Sequence, residues 1–169
     1  MAGAPTPAVR ALTQARVAHR VHAYPHDPRS DSYGAEAVAA LADELGVVAE
    51  QIFKTLVVEL SSGGAAGRGQ LAVAVLPVPR TLSLKGAAAA LGAPKAALAD
   101  RARAERTTGY VLGGISPLGQ KRALPTVLDD SALRWDRMLC SAGKRGLEIE
   151  LAPADLVRLT GAVTAAVTA

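Results

Sequence analysis

A stretch of fifteen residues, 107–121, places four glycines and one proline around a short apolar run. This punctuation favours a tight loop with few side chains, in which backbone N–H groups approach a ligand closely. Enzymes use such loops to bind oxyanions and phosphates. The same composition is typical of a strand–turn–strand corner, which composition alone favours. Both interpretations stay open at this level.

Helix patterns lie at the two ends of the chain, with strand-like apolar runs clustered between them. Thr6 followed by Pro7 is typical of a helix start, and Pro153 opens a terminal helix whose apolar face includes Val163. No repeat and no linker divides the sequence. This order predicts an α+β fold around a mixed sheet, in one domain that spans residues 1–169.

The remaining elements follow from apolar periodicity and from turn residues. A second helix begins at Asp31 or Ser32 and ends at Gly46. Residues 61–69, rich in glycine and serine, are expected to form a flexible hairpin connection. Strands are predicted at residues 17–24, 55–60, 70–78, 95–99, 124–128, 137–141 and 147–151. Ser83 is expected to cap a helix that stops at Gly92, and Asp100 to cap a helical turn that ends near Thr107.

Composition bounds the core and the charge. Aromatic residues make up 3% of the 169 residues, so the core must consist of valine, leucine, isoleucine and alanine. The net charge is +4, a modest basic excess that suits a polyanionic partner but falls short of a dedicated nucleic-acid scaffold. An ordinary solvated basic surface is the alternative.

Several classes of site are disfavoured. The single cysteine, Cys140, excludes an internal disulfide and a cysteine-based zinc site. His19 and His22 would point to opposite faces of a strand, which disfavours a shared metal ion. Ser116 lacks the surroundings of a hydrolase nucleophile. An enzyme with this sequence is therefore expected to work by positioning and electrostatics.

The sequence carries no apolar run of membrane-spanning length, and its start does not have the order of a secretion signal. We therefore expect no membrane association and a cytoplasmic location.

Basic residues mark three places. Lys54 enters an apolar strand, where its ammonium must reach either the surface or a polar cleft. Lys121 and Arg122 follow one glycine-containing turn, and Lys144 and Arg145 lie in another. Basic groups at loop tips are suited to phosphate contacts, although any solvated surface also offers them.

Taken together, these segments resemble the YbaK family of trans-acting aminoacyl-tRNA deacylases, which is related to the editing domain of bacterial prolyl-tRNA synthetases. The matching pieces run in order along nearly the whole chain. They are Thr-Pro-Ala-Val (6–9), Tyr-Pro-His-Asp-Pro (24–28), Gln-Ile-Phe-Lys-Thr-Leu (51–56), Leu-Ala-Val-Ala-Val-Leu-Pro-Val (71–78), Lys-Gly-Ala-Ala-Ala-Ala-Leu-Gly-Ala (85–93), Thr-Gly-Tyr-Val-Leu-Gly-Gly-Ile-Ser-Pro-Leu-Gly-Gln-Lys (108–121), Leu-Pro-Thr-Val-Leu-Asp (124–129) and Gly-Lys-Arg-Gly-Leu-Glu-Ile-Glu-Leu (143–151).

The resemblance implies a twisted mixed β-sheet that curls toward a barrel and is surrounded by helices. It also implies hydrolysis of the ester between a mischarged amino acid and the 3′ adenosine of tRNA(Pro). In this family that amino acid is cysteine, which is close to proline in size and therefore hard to reject by packing alone.

The same resemblance implies the site. The essential lysine falls on Lys54, and the backbone loop for the aminoacyl group falls on Gly113 and Gly114. No metal, cofactor or protein nucleophile is expected, because the thiol of the substrate is thought to attack its own carbonyl and release a thiolactone. The side chains expected to line the cleft are Tyr24, Ile115, Ser116, Ser141 and Glu148.

Two alternatives remain at this level. Glu148 stands where the family often has aspartate, which leaves room for another small mischarged amino acid, alanine or serine, cleaved by water. A non-catalytic tRNA-binding or synthetase-binding module is the other alternative. The expected partner is the acceptor end of tRNA(Pro), bound through Lys121, Arg122, Lys144 and Arg145, with tRNA selection expected from a transient complex with prolyl-tRNA synthetase.

Overall fold

A computed structural model describes residues 5–61 and 69–169. The apolar runs at the centre of the chain form an antiparallel hairpin of β2 (Phe53–Ser61) and β3 (Gln70–Pro77), which is the middle of a five-stranded mixed sheet. Its strands are ordered β4-β2-β3-β5-β8, where β4 is Lys95–Leu98, β5 is Thr126–Asp129 and β8 is Val163–Ala165. β5 runs parallel to both of its neighbours.

A second sheet has three antiparallel strands in the order β1-β7-β6, which are β1 (His19–Ala23), β7 (Leu147–Leu151) and β6 (Met138–Ser141). One isolated bridge, between Ile52 and Leu139, links the two sheets. The prediction of an α+β fold is confirmed, whereas the single sheet curled toward a barrel is wrong in detail. In the described part of the chain no other pairing joins the two sheets, so they do not close into a barrel.

Five helices surround the sheets: α1 (Pro7–Gln14), α2 (Tyr33–Leu45), α3 (Leu84–Ala90), α4 (Arg101–Thr108) and α5 (Pro153–Thr160). Three of the predicted N-caps are confirmed, because Thr6, Ser83 and Asp100 each accept a hydrogen bond from a backbone N–H in the first turn. Ser32 precedes α2 without a side-chain cap bond. Gly46 ends α2 in the left-handed conformation, as predicted.

Three predictions need correction or fall outside the structure. The terminal helix was expected to include Val163, but it ends at Thr160, where Gly161 has φ +66° and turns the chain into β8. The stretch 107–121 forms no strand–turn–strand corner; beyond α4 it is an irregular loop. Of the connection expected at 61–69, residues 62–68 lie outside the described part of the chain.

The predicted aliphatic core is present. One cluster lies against β2, β3, β6 and β7 and includes Leu12, Val73, Leu128 and Ile149. A second cluster joins α2 to the outer face of the three-stranded sheet through Leu41 packed near Leu139. This packing leaves the first turn of α2 beside the start of β2. No helix in the two described ranges is both long and apolar enough to span a membrane.

Candidate functional site

A cleft of about 420 Å³ opens where the first turn of α2 faces the start of β2. The loop between α4 and β5 and the ends of β6 and β7 form its other walls. The structure brings together six of the residues expected here, which are Tyr24, Lys54, Gly113, Ile115, Ser141 and Glu148.

The loop wall is a tight turn over residues 111–114. The N–H of Gly114 donates to the carbonyl of Val111 at 2.9 Å, which closes the turn. Gly113 has φ +84°, the positive value that the third position of a type II turn requires. A Cβ added at Gly113 would lie 2.6 Å from the ring of Tyr33, so this turn packs directly against the first residue of α2. No acceptor in the described chain takes the Gly113 N–H.

Gly114 and Ser116 lie behind this wall. The N–H of Gly114 is already bonded, and a Cβ there would lie 2.9 Å from the backbone nitrogen of Arg145, so Gly114 allows two loops to touch. Ser116 is fully buried, and its hydroxyl accepts from the N–H of Leu118 at 3.2 Å. Both residues shape the loop, and neither lines the cleft.

Lys54 lies at the start of β2 and is partly buried in the cleft wall. Burial lowers the pKa of its ammonium. Lys54 makes no ion pair with any carboxylate of the described residues. A desolvated ammonium without a counter-ion is available for an anionic or strongly polar group of a ligand.

Glu148 provides a buried acidic group to the wall of the cleft. Its position in β7 faces Ser141 in β6 and His22 in β1, and the residue is 5% exposed. Burial raises the pKa of its carboxyl to about 8. The side chain is therefore mostly protonated at neutral pH and can donate a hydrogen bond into the cleft.

Tyr24 and Ser141 are polar neighbours of Glu148. The N–H of Tyr24 donates to the carbonyl of Gly146 at 2.9 Å, which anchors the tyrosine beside the β6–β7 turn. Burial, followed by the charge of Glu148, raises the pKa of the Tyr24 hydroxyl to about 12. This hydroxyl therefore stays protonated. The hydroxyl of Ser141 accepts from the N–H of Gly143 at 3.2 Å.

Sequence reasoning missed several cleft residues. Tyr33 gives the cleft its aromatic wall, but nothing in its sequence context points there. Thr55 lines the cleft, and its buried hydroxyl has no hydrogen-bond partner among the described residues. Its position next to Lys54 in a quoted motif was the available signal. Leu112 also contributes to the wall and is 37% exposed.

The four predicted tRNA-binding residues fall in two places. Lys144 and Arg145 lie in the β6–β7 turn, beside the loop wall of the cleft. Lys121 and Arg122 are exposed further along the loop, where Arg122 neighbours Arg103 and Gln70. Gln70 pairs with Leu60, six residues along β2 from Lys54, which corresponds to roughly 20 Å. The two basic pairs are thus well separated.

The described residues supply positioned donors and charges to this cleft. Cys140 is fully buried, and burial raises the pKa of its thiol, which makes it unsuited to attack. In residues 5–61 and 69–169, no three histidine, cysteine or acidic side chains form a group that could hold a metal ion. A cation, a backbone N–H and neutral hydrogen-bond donors suit the stabilisation of a developing oxyanion.

Known proteins similar to this chain match it along most of its length. A model of the family described as "Aminoacyl-tRNA editing domain" matches residues 33–159. A curated relative from Enterococcus faecalis, "Putative Cys-tRNA(Pro)/Cys-tRNA(Cys) deacylase EbsC", is 37% identical over 163 residues, which covers 96% of this chain and 93% of the relative.

Two solved structures share the fold. The structure of hypothetical protein APE2540 superposes with a TM-score of 0.79 at 26% identity, covering 97% of this chain and 100% of the other. The structure of "a putative trans-editing enzyme for prolyl tRNA synthetase" superposes with a TM-score of 0.75 at 24% identity, covering 97% and 98% of the two chains. Each likeness extends over nearly the full length of both chains.

Proposed function

Since the chain belongs to the aminoacyl-tRNA editing domain family, we propose that it is a trans-acting deacylase that hydrolyses the ester of mischarged Cys-tRNA(Pro). The observation that carries this proposal is the cleft in which Lys54, free of any ion pair with the described carboxylates, shares the walls with the unbonded N–H of Gly113. The relative named as a deacylase covers the whole cleft in its alignment with this chain.

The proposed arrangement places the aminoacyl end of the substrate between the turn and β7. The Gly113 N–H donates to the carbonyl oxygen of the ester, which becomes negatively charged in the tetrahedral intermediate. Such a contact stabilises the transition state by about 3 kcal/mol. Lys54 binds the ribose or phosphate of the terminal adenosine. Tyr24, which is protonated, and Glu148, which is mostly protonated at neutral pH, contact the polar groups of the amino acid.

Bond cleavage in this proposal uses the thiol of the substrate. The cysteine sulfur attacks its own carbonyl carbon, a C–S bond forms, and the ester C–O bond breaks. The thiol proton passes to the departing ribose oxygen, which restores the free hydroxyl of the tRNA and releases a thiolactone that water then opens to cysteine. The protein holds the aminoacyl group in a conformation that brings its thiol close to its carbonyl carbon, and it stabilises the oxyanion. The cation and the hydrogen-bond donors of the cleft suit these two tasks.

The tRNA is proposed to approach from the side of the β6–β7 turn. The exposed Lys144 lies beside the loop wall, and Lys121 and Arg122 offer a second, separate pair of cations further along the loop between α4 and β5. A net charge of +4 supports modest, salt-dependent affinity. Selection of tRNA(Pro) is therefore proposed to come from a transient complex with prolyl-tRNA synthetase.

The test compares deacylation of Cys-, Ala-, Ser- and Pro-tRNA(Pro) by the wild type and by Lys54→Ala. We expect rapid loss of cysteine alone, and loss of this turnover by a factor of at least about 100 in the variant, because an unpaired cation in the cleft is removed. Lys85→Ala, which removes an exposed lysine from α3, is the matched control. Circular dichroism verifies that all three proteins are folded.

The other outcomes separate the alternatives. Release of alanine or serine as fast as cysteine would favour attack by water over attack by the substrate thiol, and it would make another small amino acid the substrate. No release from any of the four would favour a binding module over an enzyme. Full activity of Lys54→Ala would show that Lys54 is not needed for the reaction.

A further inference from the structure

We propose that Arg145 is a positioning residue, which fixes the Leu112–Gly113 peptide so that the Gly113 N–H stays directed at the substrate. The proposal rests on the deacylase function proposed above. It gives Arg145 a different task from the phosphate contact that its basic character suggests.

The first support is the bond that Arg145 makes. Its Nε donates to the carbonyl oxygen of Leu112 at 2.8 Å. This carbonyl belongs to the same peptide unit as the Gly113 N–H, and the described chain has no cis peptide bonds. In a planar trans peptide the C=O and N–H point in opposite directions. Fixing the oxygen on one side therefore fixes the direction of the N–H on the other.

The second support is an anchor on the preceding peptide. The N–H of Leu112 donates to Oε2 of Glu105 at 2.7 Å, and this bond is the main cause of the lowered pKa of Glu105. Glu105 belongs to α4, whereas Arg145 belongs to the β6–β7 turn. Leu112 is thus held from both sides by charged groups on two different elements, which prevents the exposed turn from rotating about its ends.

The third support is the packing of the guanidinium. Its central carbon lies 4.7 Å from the centroid of the Tyr33 ring, in cation–π geometry. The same ring contacts the position that a Gly113 Cβ would occupy. Arg145, Tyr33 and Gly113 therefore form one contact group, which we call the turn clamp. Lysine cannot reproduce it, because an ammonium lacks the planar fork that bonds the carbonyl while stacking on the ring.

The location of Arg145 also favours positioning over direct contact with the aminoacyl group. Arg145 is absent from the residues that line the cleft, while Leu112 and Gly113 are part of the wall. Its Nε is occupied by the carbonyl. The guanidinium thus acts on the reaction through the peptide that it holds.

A substrate without phosphates separates the two roles. We would measure hydrolysis of the cysteinyl ester of adenosine, and of full Cys-tRNA(Pro), by the wild type and by Arg145→Lys. Loss of the clamp is expected to lower kcat on the nucleoside ester by about tenfold or more, with little change in KM, because a slightly displaced oxyanion donor is needed only in the transition state. The control is Arg158→Lys, because Arg158 is an exposed arginine on α5 that pairs with Asp155.

A readout independent of activity accompanies the kinetics. The amide of Gly113 in a ¹⁵N–¹H spectrum is expected to shift in Arg145→Lys and to stay in place in Arg158→Lys. If the wild type hydrolyses neither ester, the deacylase proposal fails, while this amide still tests the clamp. A kcat on the nucleoside ester equal to that of the wild type, with weaker binding of full tRNA, would identify Arg145 as a phosphate contact and overturn the proposal. An unmoved Gly113 amide would overturn it as well.

Discussion

Glu148 contributes a buried carboxyl to the wall of the cleft. No cation of the described residues forms an ion pair with its carboxyl. Burial raises the pKa of this carboxyl from the ordinary value of 4.5 to about 8. The folded protein binds this proton more tightly than the unfolded chain does. This difference in proton binding contributes to the free energy of unfolding. The contribution is fully present below the pKa that Glu148 has in the unfolded chain, and it is lost as the pH rises through the pKa of Glu148 in the folded protein.

Replacing Glu148 by glutamine should remove this pH dependence. We expect the free energy of unfolding of the wild type to fall between about pH 5 and about pH 8, by up to about 1.4 kcal/mol for each pH unit. The Glu148→Gln variant should lack that contribution and be the more stable protein above about pH 8. Urea unfolding curves at several pH values measure this. Glu44→Gln, at an exposed site on α2, is the control, and parallel pH profiles for Glu148→Gln and the wild type would contradict the expectation.

The residues of the site were predictable where a motif supplied them. Lys54, Gly113 and Glu148 stand in segments that resemble a known family, and the structure brings all three to one cleft. Thr55 stands next to Lys54 in one of these segments, which was the signal available for it. Tyr33 could not be selected in this way, because its role arises from how the first turn of α2 and the start of β2 meet. Contacts of this kind depend on tertiary packing and leave no local pattern.

At the scale of elements, the turn at residues 111–114 is inseparable from α2. Replacing Gly113 by alanine adds a Cβ 2.6 Å from the Tyr33 ring, at a φ of +84°. Gly46, which ends α2, has φ +66° and open space around its Cβ position, so Gly46→Ala carries the backbone strain without the clash. The two variants thus separate strain from displacement of the turn.

We expect both alanine variants to lose about 1–2 kcal/mol of stability, because alanine is strained in the left-handed backbone conformation. Gly113→Ala should lose more, because its Cβ also clashes with the Tyr33 ring. Only Gly113→Ala should lose turnover of Cys-tRNA(Pro), by about 100-fold or more, because the N–H is displaced from the oxyanion. Thermal unfolding and single-turnover deacylation measure the two effects. Turnover by Gly113→Ala at the level of Gly46→Ala would exclude Gly113 as the donor.

Element boundaries show which patterns are local. Helix starts at Thr6, Ser83 and Asp100 were predictable, because a cap satisfies N–H groups within its own turn. The strand β8 was not, since its three residues are held by parallel pairing to β5 and Val163 is 44% exposed. The link between the two sheets was likewise not predictable, since it is a single bridge between distant residues, Ile52 and Leu139.

At the scale of the whole molecule, the charges are spread out. The exposed cations proposed to meet the tRNA lie in two separate places, with Lys144 beside the cleft and Lys121 with Arg122 further along the loop between α4 and β5. Glu59 pairs with Arg103 and so offsets one cation near Arg122. Among the described residues, a tRNA that reaches the cleft with its 3′ end is therefore expected to meet only a few cations without an ion-pair partner.

The salt dependence of tRNA binding measures how many of these cations contact phosphates. If Lys121, Arg122 and Lys144 each neutralise one phosphate, log Kd should rise with log salt concentration with a slope of about 3, since each contact contributes about 0.9. Lys121→Gln with Arg122→Gln should reduce that slope by about 2. The control pair Lys85→Gln with Arg158→Gln removes the same charge from α3 and α5. Binding of uncharged tRNA(Pro) over a range of salt concentrations gives both slopes. Equal slopes for the two double variants would mean that the tRNA does not extend along the loop, and that its contacts are confined to the cleft and the β6–β7 turn.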